Sequence, residues 1–294
     1  MSGDPIEGNG GPGRTRKGRT TLGVLTAVLC AGPVVLMTSP AAHAASGARS
    51  VQPRLIAPGP TFTVNTTVDS HDATPGDGIC ADGTSQCSLR AAIEEADALS
   101  KSVTITVPTG TYLLSLGALN VTDPAGVTIN GAGQGTTVVD GTPESARILT
   151  LNEDVNSNGA FVTASNLTLR KGAGSDGGGV AVNDNNDNLV LNSVTVADST
   201  ATTEGGGIYN LGALWMNNST VSGSTAPKGG GIYNDGVSFE LVNTTVINNV
   251  AHAIGGGIYT NNPTTIEGGS ISGNMALTSS GTATAGGLEA EEVL

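Results

Sequence analysis

The sequence predicts an all-β chain wound as a right-handed parallel β-helix, with a short capping helix before the coils and a signal peptide before that. Three observations predict it. A four-residue pattern recurs at Asn166–Leu169, Ser193–Val196, Asn218–Val221, Asn243–Val246 and Gly268–Ile271, its last apolar positions separated by 27, 25, 25 and 25 residues. A second refrain lies between the first: Gly177-Gly-Gly-Val180, Gly205-Gly-Gly-Ile-Tyr209, Gly229-Gly-Gly-Ile-Tyr233, Gly255-Gly-Gly-Ile-Tyr259 and Gly286-Gly-Leu288. The chain also holds 44 Gly but only 3% aromatics, a composition that suits many short strands and tight turns. A period near 25 is too short for propeller blades and lacks the leucine density of leucine-rich repeats.

The N-terminus reads as an export signal. Arg14, Arg16, Lys17 and Arg19 precede an apolar run from Leu22 to Met37, and Ala42-His43-Ala44 supplies the small-x-small site that signal peptidase reads. Residues 1–44 are therefore expected to be removed, the alternative being an uncleaved membrane anchor. The remainder carries eight basic and twenty-three acidic side chains, net −15. Such a surface argues against nucleic acid or anionic lipid as partner, because phosphate binding needs clustered Lys and Arg. No membrane span is expected in the mature chain, and the expected localisation is secreted or extracellular, associated with the cell wall.

Residues 45–60, rich in Ala, Ser, Gly and Pro, read as a linker. A cap follows over 61–102. Its alternating segment Thr61–Val68 predicts a strand, and Asp69–Gln86 predicts an acidic, glycine-rich loop. Leu89, Ala92, Ile93 and Ala96 share one face of a predicted helix over 88–99, with Ser88 as N-cap and its apolar side laid over the first coil. Cys80 and Cys87 are an even pair in an exported chain. That favours one disulfide, with two free thiols as the alternative.

The β-helix is expected over 103–288. Side chains alternate faces along a strand, so Leu169, Val196, Val221, Val246 and Ile271 form one inward column and Val180, Ile208, Ile232 and Ile258 another. Thr168, Thr195, Thr220, Thr245 and Ser270 face outward. The glycine triplets are expected to make positive-φ corners. Residues 289–294 read as a tail, interrupted just as another refrain begins.

Two stretches carry a family resemblance. Thr61–Ala98, with Gly76-Asp-Gly78, Cys80 and Cys87-Ser-Leu-Arg-Ala-Ala-Ile93, resembles the CSLREAI-type N-terminal module of exported bacterial proteins, with Ala91 where that motif has Glu. The Gly-Gly-Gly-Ile-Tyr refrains, with Asn249 and Asn274 in the preceding turns, resemble the repeats of polymorphic outer-membrane and adhesin-like proteins of the pectin-lyase-like superfamily. The resemblance implies export and a β-helix, and no single activity.

Candidate chemistry is sparse. Asp154-Val-Asn156-Ser-Asn158-Gly159 matches the opening of a Ca²⁺ loop, but positions nine and twelve are Val162 and Ser165, which favours a plain turn. No other cofactor is expected. Asp69, Asp72, Asp77 and Asp82 make a second acidic patch. Basic side chains in the repeats are Arg170, Lys171 and Lys228, and Asp198 is the acid in register with Lys171. Tyr209, Tyr233 and Tyr259 should form a vertical outer row, a platform for a linear glycan or a stack of rings bracing the coils. The resulting reading is a non-catalytic surface scaffold for adhesion or for binding a polysaccharide or cell-surface glycan. The alternative is a polysaccharide lyase or glycoside hydrolase of the pectin-lyase-like class.

Overall fold

The structure, a computed structural model, describes residues 59–152, 159–277 and 286–290. The signal-peptide assignment, nearly all of the linker and the Ca²⁺-loop candidates Asp154, Asn156 and Asn158 lie outside the described residues.

The chain forms a right-handed parallel β-solenoid. The coil starting at Asn188 shows how sequence becomes shape. Strand Asn188–Ala197 bends at Ser193, which sits at φ 54°, so that one strand serves two faces. Asp198, at φ 53°, makes the next corner into Thr200–Glu204. Gly205, at φ 63°, makes the third, into Ile208–Asn210. The first corner recurs as Asn166, Asn218, Asn243 and Gly268, all with positive φ. Asn and Gly tolerate the left-handed region best, which is why the repeat begins on them.

The pairings between coils are parallel, and among the described residues they keep register except in the sheet that holds Thr200–Glu204 and Thr225–Lys228, where the register shifts. Val196 pairs with Leu169 on one side and Val221 on the other, and Val221, Val246 and Ile271 continue the column. Val180, Ile208, Ile232 and Ile258 form the second column, which Leu288 extends. The valines are fully buried, and each coil covers apolar surface that it could not bury alone. Ala226, Ala251 and Ala276 form a third buried column, where the small side chain suits a tight corner.

The glycine triplets make positive-φ corners as expected, each through a single residue. Only the first has positive φ. The second and third are required by proximity: a Cβ on Gly206 would lie 2.3 Å from the Gly230 carbonyl oxygen, and one on Gly207 2.8 Å from that of Gly231. The predicted strand Thr61–Val68 is shorter, Thr61–Thr63, pairing with Val103–Val107. Asn65 ends it by pairing with Cys87 through backbone and side chain, which pulls the chain out of the sheet. The last described strand, Leu288–Ala290, takes in two residues of the expected tail.

Helix α1, Leu89–Leu99, packs on the first coil. Ser88 caps it, its hydroxyl accepting from the Ala91 N–H at 3.0 Å and donating to the Ser70 carbonyl at 2.6 Å. Leu89, Ala92, Ile93 and Ala96 enter the same core as Val103, Ile105, Leu119 and Val121. Cys80 and Cys87 form a disulfide with their Cα atoms 5.1 Å apart, closing the loop before the helix. Among the described residues no helix is long and apolar enough to cross a membrane.

Candidate functional site

The tyrosine row forms as the repeat predicts. Tyr209 and Tyr233 are paired across coils, as are Tyr233 and Tyr259. Their ring centroids are 5.4 and 5.3 Å apart and the planes are nearly parallel, at 14° and 15°. Each ring thus occupies the face of the next. The row is less open than an outward position suggests: Tyr233 is 7% exposed and Tyr259 3%. The Lys228 ammonium sits 5.7 Å from the Tyr259 ring centre and 3.2 Å from Glu204. Burial, then the nearby charges of Glu204 and Asp235, push the Tyr233 hydroxyl up to about 12, so it stays protonated at any physiological pH. What the row offers outward is ring edges and hydroxyls, and the Tyr233 hydroxyl already accepts from Asn261 at 3.3 Å.

A second ruled surface lies around the bend within each coil. Thr195, Thr220, Thr245 and Ser270 stand in one file by register; Thr168, expected at its head, pairs with Thr195 but is buried, its hydroxyl accepting from the Gly135 N–H at 3.1 Å. Beside them Asn217 donates to Asn192 at 2.9 Å. The segments 193–197, 218–222, 243–247 and 268–272 carry no charged side chain, although the chain as a whole is strongly acidic. Equivalent groups recur at the inter-strand spacing of about 4.8 Å, a regular file of neutral hydrogen-bonding groups.

The charged candidates are committed elsewhere. Lys171 does not meet Asp198, its register neighbour. Its ammonium turns back to Asp140 at 4.0 Å, where Arg170 binds the same carboxylate at 2.7 Å. Thr142 also donates to Asp140 through backbone and side chain. Burial raises the Asp140 pKa, but the hydrogen bonds from Thr142 and Arg170 outweigh it and leave it below the usual carboxylate range. The acidic loop behaves likewise. Asp69 forms an ion pair with Arg90 and accepts from the Ser115 and Leu116 N–H groups. Asp72 accepts from Thr74 and Ala81, Asp77 from Ile79, and Asp82 from Thr84, Gln86 and Ser70. These carboxylates shape their own loop, and among the described residues no three acidic, His or Cys side chains converge as a metal site.

Two sets of residues escaped the sequence reading. In the cap, Arg90 is buried and donates to Asp69 and to the Gly117 and Ala118 carbonyls, while fully buried Glu95 accepts from the Gly76 and Gly78 N–H groups at 2.5 Å. In the coils, a polar ladder runs through the interior corner. The Gly172 N–H donates to Ser199, that of Ser199 to Ser224, that of Ser224 to Asn249, and that of Asn249 to Asn274. Asn210, Asn234 and Thr260 form a second ladder, side chain to side chain at 2.7 and 2.9 Å. Its signal was available, since Asn, Asn and Thr directly follow the three tyrosines. A buried residue such as Arg90 gives no periodic signal, because it occurs once.

Comparison of the chain with family models, curated proteins and solved structures found no match.

Proposed function

We propose that this chain is an exported, non-catalytic β-solenoid scaffold, working at or outside the cell surface in adhesion or in contact with a neutral glycan. The observation that carries the reading is the straight, uncharged file of Thr195, Thr220 and Thr245 beside the paired Asn192 and Asn217. Hydroxyls and amides repeated at fixed spacing suit a partner that itself repeats, and neutral groups suit a sugar better than a phosphate. The resemblance of the Cys87–Ile93 segment to CSLREAI modules, and of the glycine refrains to adhesin-like repeats of the pectin-lyase-like superfamily, supports export and a surface role. Cell-wall association follows from the same reading.

The tyrosine row enters this proposal mainly as a brace. A sugar that stacked on it would have to part rings that already stack on each other. Ring edges and hydroxyls at the row's rim remain a contact for a glycan lying alongside. The enzymatic alternative, a lyase or hydrolase, keeps one observation in its favour, two basic side chains at Asp140. That carboxylate is held by Arg170 and Thr142 and is 4% exposed, so it is poorly placed to work as a general base on a polymer.

The test is a glycan array probed with the folded chain and with a Thr195→Lys, Thr220→Lys, Thr245→Lys variant. Retention of neutral glycans by the parent and loss by the variant is the expected result. No retained glycan would leave only a spacer. New reducing or unsaturated ends on a panel of acidic polysaccharides would replace the scaffold with an enzyme.

A further inference from the structure

The seam between α1 and the first coil holds carboxylates that the fold crowds together. Asp97, in the last turn of α1, accepts the Thr122 N–H at 3.1 Å and the Asp123 N–H at 3.0 Å, and so ties the helix to the strand end it covers. Asp123 is itself 1% exposed. One of its oxygens accepts from the Ala125 N–H at 2.8 Å, and the other is buried with no hydrogen-bond partner among the described residues. Beside this pair lies a cavity of about 240 Å³ lined by Arg90, Ile93, Glu94, Asp97, Asn120 and Thr122. The Asn120 side-chain oxygen is also buried without a hydrogen-bond partner among the described residues.

The charges facing Asp97 are unbalanced. From the coil comes Asp123, another acid. On the helix side, Glu94 is engaged by His71 at 2.6 Å and by the Asp72 N–H at 2.8 Å. Arg90, the one cation lining the cavity among the described residues, is committed to Asp69. A half-buried carboxylate beside a buried one, with no cation of their own among the described residues, is a costly arrangement when both are ionised.

We infer that the Asp97–Asp123 seam is an acid-tightened latch, closing the helical cap more firmly when it takes up a proton and loosening it toward neutral pH. The direction of titration agrees. Burial, together with the neighbouring charge of Asp123, raises Asp97 to about 6, against the opposing pull of the Thr122 and Asp123 N–H groups. Burial also raises Asp123. A carboxyl whose folded pKa lies above its unfolded one contributes stability that is fully present below the unfolded value and is lost as pH rises through the folded value. For Asp97 that window runs from the ordinary aspartate value of 3.8 to about 6. Opening the latch uncovers the apolar edge of Val103, Ile105, Leu119 and Val121, with which the helix shares its core.

The experiment is amide hydrogen exchange, read as protection factors so that the intrinsic pH dependence of exchange cancels. The amides of α1, residues 89–99, are compared with those of 194–196 deep in the stack, at about pH 4 and about pH 7.5. In the parent chain α1 protection should be about tenfold higher in acid, a response already reduced for the partial exposure of Asp97 to solvent, while 194–196 stay level. Asp97→Asn should flatten the α1 response, Asp123→Asn should reduce it, and His71→Gln should leave it in place. Equal α1 protection at both pH values in the parent would overturn the proposal. So would a change shared by 194–196, or a response that disappears with His71→Gln, which would assign the titration to the His71–Glu94 contact. The comparison within the parent chain decides even if an aspartate variant fails to fold.

Discussion

In the cap, residues 61–102, and where it meets the first coil, the chain is held by charged contacts that each occur once: Arg90 with Asp69, Glu95 with the Gly76 and Gly78 amides, Asp97 with the Thr122 and Asp123 amides. In the coils from Asn188 to Ala276 the interior is held by neutral contacts made repeatedly, the valine column and the Ser199–Ser224–Asn249–Asn274 ladder. The cap has a different neighbour on each side and needs specific partners. A coil meets near-copies of itself above and below, so any side chain that satisfies its own kind satisfies the whole row. Strength is therefore concentrated at single residues in the cap and spread among many in the stack.

Substitutions can break or sharpen this contrast. The largest effect is expected from Arg90→Ala, which strands Asp69 in a site where the two side chains are 7% and 3% exposed. Denaturant unfolding should show a loss of about 3–5 kcal/mol, and removing Asp69 as well should restore part of it. Next is Val221→Ala, which deletes buried methyl groups between Val196 and Val246 and should cost about 2–3 kcal/mol. Asn249→Ala should cost about 1–2 kcal/mol, because the Ser224 N–H and the Val221 carbonyl both lose their side-chain partner. Thr220→Ala, one residue from Val221 but outward, should stay within about 0.5 kcal/mol. If Thr220→Ala proved as costly as Val221→Ala, the assignment of inner and outer faces would be wrong.

The same contrast explains what could be read from the sequence. The apolar columns, the outer threonine file and the tyrosine stack were all legible, because each is written several times at a fixed interval. The α1 boundary was legible for a local reason, the Ser88 cap ahead of an apolar face. What repetition could not disclose was anything made once. The destination of Lys171 is an example: register put it beside Asp198, yet Asp140 in the preceding coil already holds Arg170 and draws both cations. Repetition located the glycine corners but could not divide the labour among the three residues. Three in a row look like one conformational device, whereas Gly205 turns the chain and Gly206 and Gly207 make room for their neighbours. Nor could alternation show that an outward tyrosine is largely covered by the next ring.

The closeness of those glycines has a consequence for heredity. Gly206 lies against Gly230, and Gly230 against Gly256, each backbone leaving no room for even a methyl group on the one before. A tandem duplication that copies one whole lap offers its new neighbours the same bare Cα atoms and carbonyls as before, and the stack can accept it without repair. A fractional copy would set a side chain against a carbonyl at the seam. Growth and shrinkage of this molecule over generations should therefore proceed by whole laps, with odd residues expelled into the loops between faces.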